Sequence, residues 1–219
     1  MKLLLTKQRS QGLTRTDIIV IILVAGFLAL LLLPMFITDP PVKKRAQRIN
    51  CVSNLKQVSL AARIWEGDNN NKYPMAVSVT NGGAMELVAT GNVVACFQVF
   101  SNELSTTKIL WCPADAQRTY ASNFQNDFNN SHISYFINAD ANETYPQMAA
   151  FGDDNLAING ARVKAGIWPI TSNTEVSWTS ERHKCGNVAF ADGSVAMESN
   201  QTMTNWFGGT NYTSRLAIP

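Results

Sequence analysis

Residues 18–37 read IIVIILVAGFLALLLLPMFI, twenty residues without a charge. Asp17 stands at the front edge of this run, and a short polar leader precedes it. A helix rises about 1.5 Å per residue, so a run of about twenty covers the ~30 Å hydrocarbon core of a bilayer. Gly26 and Pro34 interrupt the run. Membrane helices tolerate both, and Pro34 is expected to kink the helix near its far end. A cleaved secretory signal is the plain alternative. Against it, the apolar core exceeds the roughly 7–15 residues of such signals, and no A-x-A-type site follows. The segment Gly12-Leu13-Thr14-Arg15-Thr16-Asp17 also separates the basic leader from the run. The run therefore reads as one retained membrane span.

Charge leaves the orientation close to a tie. Lys2, Lys7, Arg9 and Arg15 precede the span, and Lys43, Lys44, Arg45 and Arg48 follow it. The downstream cysteines and Asn-rich loops favour export of the C-terminal part. Composition changes near residue 50. Residues 1–50 hold eight Lys/Arg against Asp17 and Asp39, net +6, and the remainder holds ten against fourteen acids, net −4. A basic stalk beside a membrane points to anionic lipid as a partner. The mildly acidic remainder offers no nucleic-acid surface.

The four cysteines are Cys51, Cys96, Cys112 and Cys185. No pair has C-x-x-C spacing, so neither a zinc site nor a thioredoxin-type motif is indicated. An even count in an exported domain points to disulfides, with three connectivities open. Cys51–Cys112 is the first pairing to expect, and buried free thiols are the alternative.

After the span, Thr38-Asp39-Pro40-Pro41 predicts a bend or an extended link. Helical periodicity resumes at Lys43. Cys51, Leu55, Val58, Ala62 and Trp65 follow 4-3-4-3 spacing and form one stripe to be buried, with Lys56, Arg63 and Glu66 elsewhere. Asp68-Asn69-Asn70-Asn71 ends this helix, and Tyr73-Pro74 begins an extended segment. Residues 84–89 read as a short helix, and 93–104 suit a helix slightly better than a strand. Strands are expected at 109–111, 134–137, 166–170 and 175–178. Asn187–Ala191 and Ser194–Met197 flank Asp192-Gly193, a strong signal for a hairpin with a type I′ turn. Ala189, Phe190, Val195 and Met197 would supply its buried face.

His183 and Asp192 tempt a catalytic reading. The turn accounts for Asp192 without it, since Asp and Gly accept φ > 0. No G-x-S-x-G accompanies the pair, and the chain has one other histidine, His132. The chain is not expected to be an enzyme. Asp140, Asp153 and Asp154 could serve calcium as oxygen ligands, but no EF-hand spacing is present. Solvated loop acids are the simpler reading, so no metal or cofactor is expected. Asn-x-Ser/Thr triplets occur at Asn129, Asn142, Asn200 and Asn211, and an Asn-rich chain produces such triplets by chance.

The front end resembles a type IV prepilin or type II secretion pseudopilin signal. In that family a basic leader ends in Gly, and a dedicated peptidase cuts after it and methylates the new N-terminus. The resemblance implies Gly12 as the last leader residue and Leu13 as the new first residue. Asp17 stands at the family's Glu, and Pro34 at a proline that kinks many pilins. Phe is usual at Leu13, and Thr-Leu-Ile-Glu where Thr14-Arg15-Thr16-Asp17 stands here. The rest is similar to a bacterial subgroup with this N-terminus and a C-terminal H-x9-D-G signature. The matching stretches are CVSNLKQVSLAARIWEGDNNNKYP (51–74), ILWCPAD (109–115), ISYFINADANETYPQM (133–148) and RHKCGNVAFADGSV (182–195). Eight residues, not nine, separate His183 from Asp192-Gly193.

The resemblance implies an α+β, pilin-like fold. Residues 1–12 would be the leader, 13–37 the transmembrane helix and assembly signal, 38–67 a linker and amphipathic stalk helix. Residues 68–219 would be a globular head with a small antiparallel sheet and a C-terminal hairpin. It implies a single-pass subunit of the bacterial inner membrane, with its head outside the cytoplasm. Its partners would be lipid, prepilin peptidase, and copies of itself or other pilin-like subunits in a secretion or pilus-like filament. In such filaments the carboxylate at Asp17's position pairs with a neighbour's N-terminal amine. Alternatively Asp17 only caps the helix beginning at Ile18, in a tethered binding module that keeps the signal without assembling. A tethered hydrolase using His183 is a third, weaker reading.

Overall fold

The computed structural model describes residues 14–36, 40–171, 173–180, 182, 185–199 and 214–219. The chain divides into two compact units, Met1–Lys43 and Lys44–Pro219. The architecture is α+β: an N-terminal apolar helix and a head built on antiparallel sheets.

Helix α1 spans Arg15–Phe36 and continues through Pro34. Its residues from Arg15 to Leu32 are all exposed, Ile18 by 48% and Leu30 by 67%. An α-helix that is exposed and apolar on every side is suited to hydrocarbon. Among the described residues it is the one helix long and apolar enough to cross a membrane.

Helix α2 spans Pro40–Asp68, so Pro40-Pro41 opens a helix instead of forming the expected link. The reason lies in the first turn, where backbone N–H groups have no intrahelical partner and the missing proline donors cost nothing. The predicted stripe is buried throughout: Cys51, Leu55, Val58, Ala62 and Trp65. Glu66 corrects the pattern. It is 3% exposed, because it follows Ala62 by one turn and so sits at the edge of the buried face. Asn70 and Asn71, with φ of 58° and 55°, turn the chain away from the helix.

Short helices α3 (Met85–Val88), α4 (Val93–Val99) and α5 (Ser101–Leu104) follow. Tyr73 is extended, but Pro74–Ala76 close into a 3-10 turn. Residues 107–110 form another 3-10 turn, not the expected strand at 109–111. The carbonyls of Trp111 and Pro113 are taken by side chains of α2, Asn54 Nδ2 at 2.9 Å and Gln47 Nε2 at 2.9 Å. Pro113 has no N–H to give a strand ladder.

Among the described residues the head has nine strands: β1 (Tyr135–Asn138), β2 (Ala149–Asp153), β3 (Leu156–Ile158), β4 (Ala161–Arg162), β5 (Gly166–Ile170), β6 (Val176–Trp178), β7 (Gly186–Phe190), β8 (Val195–Glu198) and β9 (Ser214–Ile218). One sheet has the order β5-β9-β1-β2-β7-β8, and a second has β4-β3-β6; every pairing is antiparallel. The larger sheet is covered on both faces. Tyr135, Ile137, Phe151, Ala189 and Ala217 join a core with the α2 stripe. Phe136, Val188, Phe190, Leu216 and Ile218 join a second core with Leu156, Ile158, Val176 and Trp178 of the smaller sheet. Neighbouring Ala189 and Phe190 therefore point into different cores, as strand alternation requires. Met197 is 45% exposed, so β8 contributes less to the interior than its pattern promised.

The β7–β8 hairpin exists, but its turn is not type I′. Gly193 has φ +87° and Asp192 is not in the left-handed region. Gly193 N donates to Phe190 O at 2.9 Å, and Phe190 N donates to Ser194 O at 2.9 Å. This is a three-residue loop whose last position takes the left-handed conformation. Asp192 serves it through its side chain, accepting from Ser194 N at 2.8 Å. The head also does not end with this hairpin: β9 follows and pairs with β5 and β1.

Candidate functional site

The residues of chemical interest fall into three groups. The first is the beginning of α1. Thr14 N donates to Asp17 Oδ2 at 2.9 Å, and Asp17 N donates to Thr14 Oγ1 at 3.3 Å. This reciprocal pair is a capping box, which satisfies two otherwise orphaned donors at a helix start. The helix begins at Arg15, so Asp17 is not the capping residue of a helix starting at Ile18; it is the third helical residue, reaching back. Gly12, Leu13 and the leader lie outside the described residues.

The second group binds α2 to the body of the head. Cys51 and Cys112 form a disulfide with Cα atoms 5.1 Å apart. The bond sits between the Gln47 and Asn54 contacts to the same loop, so three successive turns of α2 grip residues 111–113. Cys96 and Cys185 are free. Arg63 Nη1, further along α2, and the Tyr73 hydroxyl beyond its end each donate to Ala191 O at 2.7 Å. A Cβ at Gly193 would lie 3.0 Å from Arg63 Cδ. The Asp192-Gly193 turn thus rests on Arg63, and these motif residues have an anchoring role in the structure. Arg63 also pairs with Glu143 at 3.4 Å. Burial pushes the neighbouring Glu66 carboxyl up to about 7, reinforced by hydrogen bonding and repulsion with Glu143 and opposed by Arg63. Burial and the Glu66 charge push Tyr73 up to about 12.

The third group is an ionic cluster that the sequence reading did not single out. Arg182 reaches Asp154, Asp115 Oδ2 at 2.8 Å and the carbonyl of Ser134 at 3.0 Å. Arg118 pairs with Asp154 at 2.5 Å and Asp115 at 3.3 Å, and Ser134 Oγ donates to Asp115 at 2.9 Å. Burial works against the charge on Arg182, but Asp154 and Asp115 outweigh it and hold the guanidinium above its usual range. Asp153 lies deeper. Its Oδ2 accepts from Asn187 N and Nδ2, both at 2.9 Å. Burial raises its carboxyl to about 6 against the pull of Arg182. Asp115 and Arg182 do occur in the stretches ILWCPAD and RHKCG, but single charged residues there give no periodic signal of burial. A cleft of about 430 Å³ opens beside the cluster, with Arg118, Asp154, Arg162 and Lys164 on its walls.

This arrangement is suited to holding loops together. The Ser134 hydroxyl donates to a carboxylate already paired with two guanidiniums, which is not how a nucleophile is activated. His183 lies outside the described residues. The three acids weighed as calcium ligands do not converge, and Asp153 and Asp154 are buried, not the solvated loop acids expected. Asp154 is engaged by two arginines, and Asp140 by Arg215, at 2.5 Å from Nη2 and 2.8 Å from the backbone N. Among the described residues no group of three or more His, Cys, Asp or Glu is placed to hold a metal ion. Of the predicted residues the structure thus joins Cys51 to Cys112 and sets Asp192-Gly193 on α2. No family model, curated protein or solved structure matches the chain.

Proposed function

We propose that this chain is a membrane-anchored, pilin-like or pseudopilin-like subunit, an assembly component and not an enzyme. The observation that carries the reading is α1: exposed and apolar on every side from Ile18 to Leu32, with one acid in its first turn. A helix of this kind needs lipid or other apolar helices around it. The acid is costly if drawn into hydrocarbon, roughly 2.5–3.5 kcal/mol at the centre, unless a cation meets it there. A processed N-terminal amine of a neighbouring copy would supply that cation. On this reading prepilin peptidase removes residues 1–12 and methylates Leu13, α1 holds the subunit in the inner membrane, and the head lies outside the cytoplasm. The filament would be of the type II secretion or type IV pilus kind.

A second reading has a specific observation in its favour. Asp17 already accepts the Thr14 N–H, so its carboxylate is partly satisfied within its own helix. A tethered module that binds without assembling would need no more. Asp17→Ala separates the two. Cysteine pairs introduced along α1 should cross-link between copies in membranes of the parent chain. Loss of these cross-links in Asp17→Ala supports assembly through Asp17, equal cross-linking overturns the role of Asp17 in it, and no cross-links in the parent chain overturn assembly in favour of the tethered module.

A further inference from the structure

The four Asn-x-Ser/Thr triplets share a feature that the subunit reading does not use. Asp127 stands two residues before Asn129, Asp140 two before Asn142, and Glu198 two before Asn200; only Asn211, preceded by Gly209, lacks an acid there. Asp and Glu together are 16 of 219 residues, about one in fourteen. Chance would place an acid at that offset in fewer than one of four triplets, and it stands in three. The repeated unit is thus acid-x-Asn-x-Ser/Thr, a longer and more specific pattern than the bare triplet.

Two of the three acid-bearing triplets lie among the described residues, and both present their asparagine to solvent. Asn129 and Asn142 are exposed and sit in loops, Asn129 just ahead of β1 and Asn142 between β1 and β2. The hydroxyl residue lies against the amide in each. Asn129 Oδ1 accepts from Ser131 Oγ at 2.6 Å, and Asn142 Oδ1 accepts from Thr144 N at 2.9 Å. Neither side chain supports a core; Asn129 Nδ2 donates to Asp127 O at 2.9 Å, and a glycosylated amide keeps one N–H with which to hold that bond.

We infer that Asn129 and Asn142 are acceptor sites for an N-linked glycan. The enzyme would be a membrane oligosaccharyltransferase that reads the acid as well as the hydroxyl. In the transfer, the amide Nδ2 forms a bond to the anomeric carbon of a lipid-pyrophosphate-linked oligosaccharide. The bond from that carbon to the phosphate oxygen breaks, the lipid pyrophosphate leaves, and Nδ2 loses one proton. A carboxylate at a fixed offset gives the enzyme a charge-assisted contact that orients the peptide. The inference rests on export of the head, which the membrane-anchor reading also requires, but not on leader cleavage or filament assembly.

The fold also sets a time window for the reaction. Asp140 is held by Arg215, seventy-five positions later, through Nε at 3.0 Å, Nη2 at 2.5 Å and the backbone N at 2.8 Å. Until β9 pairs with β1, Asp140 is open to the enzyme; afterwards it is engaged. Asp127 is held by near neighbours, Ser122 N at 2.7 Å, Ser122 Oγ at 2.9 Å and Asn123 N at 3.2 Å, and that local loop can close as soon as it emerges. Asn142 should therefore be the more fully occupied of the two.

The test is expression of the full chain in a bacterial host that carries an acid-requiring oligosaccharyltransferase and its lipid-linked oligosaccharide, followed by glycopeptide mass spectrometry. Glycan is expected on Asn129 and Asn142. Asp127→Asn should remove at least nine-tenths of the glycan on Asn129 while leaving Asn142 modified, and Asp140→Asn should do the reverse. Each variant thus carries its own control for expression and folding. Absence of glycan at both sites overturns the inference, and so does occupancy that persists in the acid variants. Digestion of the head by protease added to spheroplasts, measured in parallel, reports on export separately, so a head that is not exported is told apart from an exported head without glycan.

Discussion

Two helices of similar length, α1 and α2, meet water and protein in opposite ways. In α1 every side from Arg15 to Leu32 is exposed and nearly every residue is apolar. In α2 apolar residues are concentrated on a face that the head covers completely, from Cys51 to Trp65. The first has no inside and needs a surrounding medium; the second has one inside and takes its stability from it. The difference teaches that the same residue type carries opposite consequences in the two. Leu28 in α1 is 54% exposed and Leu55 in α2 is fully buried.

The largest expected effect breaks the comparison at α1. Leu23→Arg with Leu28→Arg places two charges in the span, at roughly 2.5–3.5 kcal/mol each on insertion scales. Most of the chain should then leave the alkali-washed membrane fraction. Leu60→Arg with Ile64→Arg on the exposed side of α2, 59% and 51% exposed, should leave retention unchanged. Next comes the interior of the head. Leu55→Ala should lower head stability by about 2–5 kcal/mol in denaturant titrations, while Leu28→Ala should not alter it.

A smaller effect concerns the bond that ties α2 down. Cys51→Ala with Cys112→Ala opens a link between residues 61 positions apart and should cost about 2–4 kcal/mol. Alkylation of the parent chain in denaturant should label Cys96 and Cys185 alone. The smallest effect is a pH dependence at the far end of α2. Glu66 is raised in the folded head to about 7, above its ordinary value of 4.5. The folded state therefore binds the proton more tightly, so stability is greatest at low pH and falls as pH rises between those values. Asp153, raised to about 6, acts in the same direction at lower pH, so Glu66→Gln should reduce the fall most between pH 6 and 7 and leave a smaller fall below it, in unfolding measured from pH 4 to 8.

Much of this contrast was legible in the sequence, because it rests on local periodicity. The α1 run and the Cys51-to-Trp65 stripe each lie on one helix, where spacing alone decides the face. What was not legible depends on partners far away. Glu66 looks like a surface acid until Glu143, seventy-seven positions on, is set beside it. Residues 109–111 read as a strand, but side chains of α2 take their loop's carbonyls. Strand β9 finds its place between β5 and β1 only in three dimensions. Arg118 and Arg182 carry no period at all, and their meeting with Asp115 and Asp154 is a property of the fold. Asp192-Gly193 gave the hairpin but not its turn, since one more loop residue moves Asp192 out of the left-handed region.

The most direct test of the account is the mass of the intact chain after co-expression with a prepilin peptidase. The account predicts loss of residues 1–12 and one added methyl group on Leu13, in a chain still held by the membrane. A full-length, unmodified chain in that fraction would contradict it.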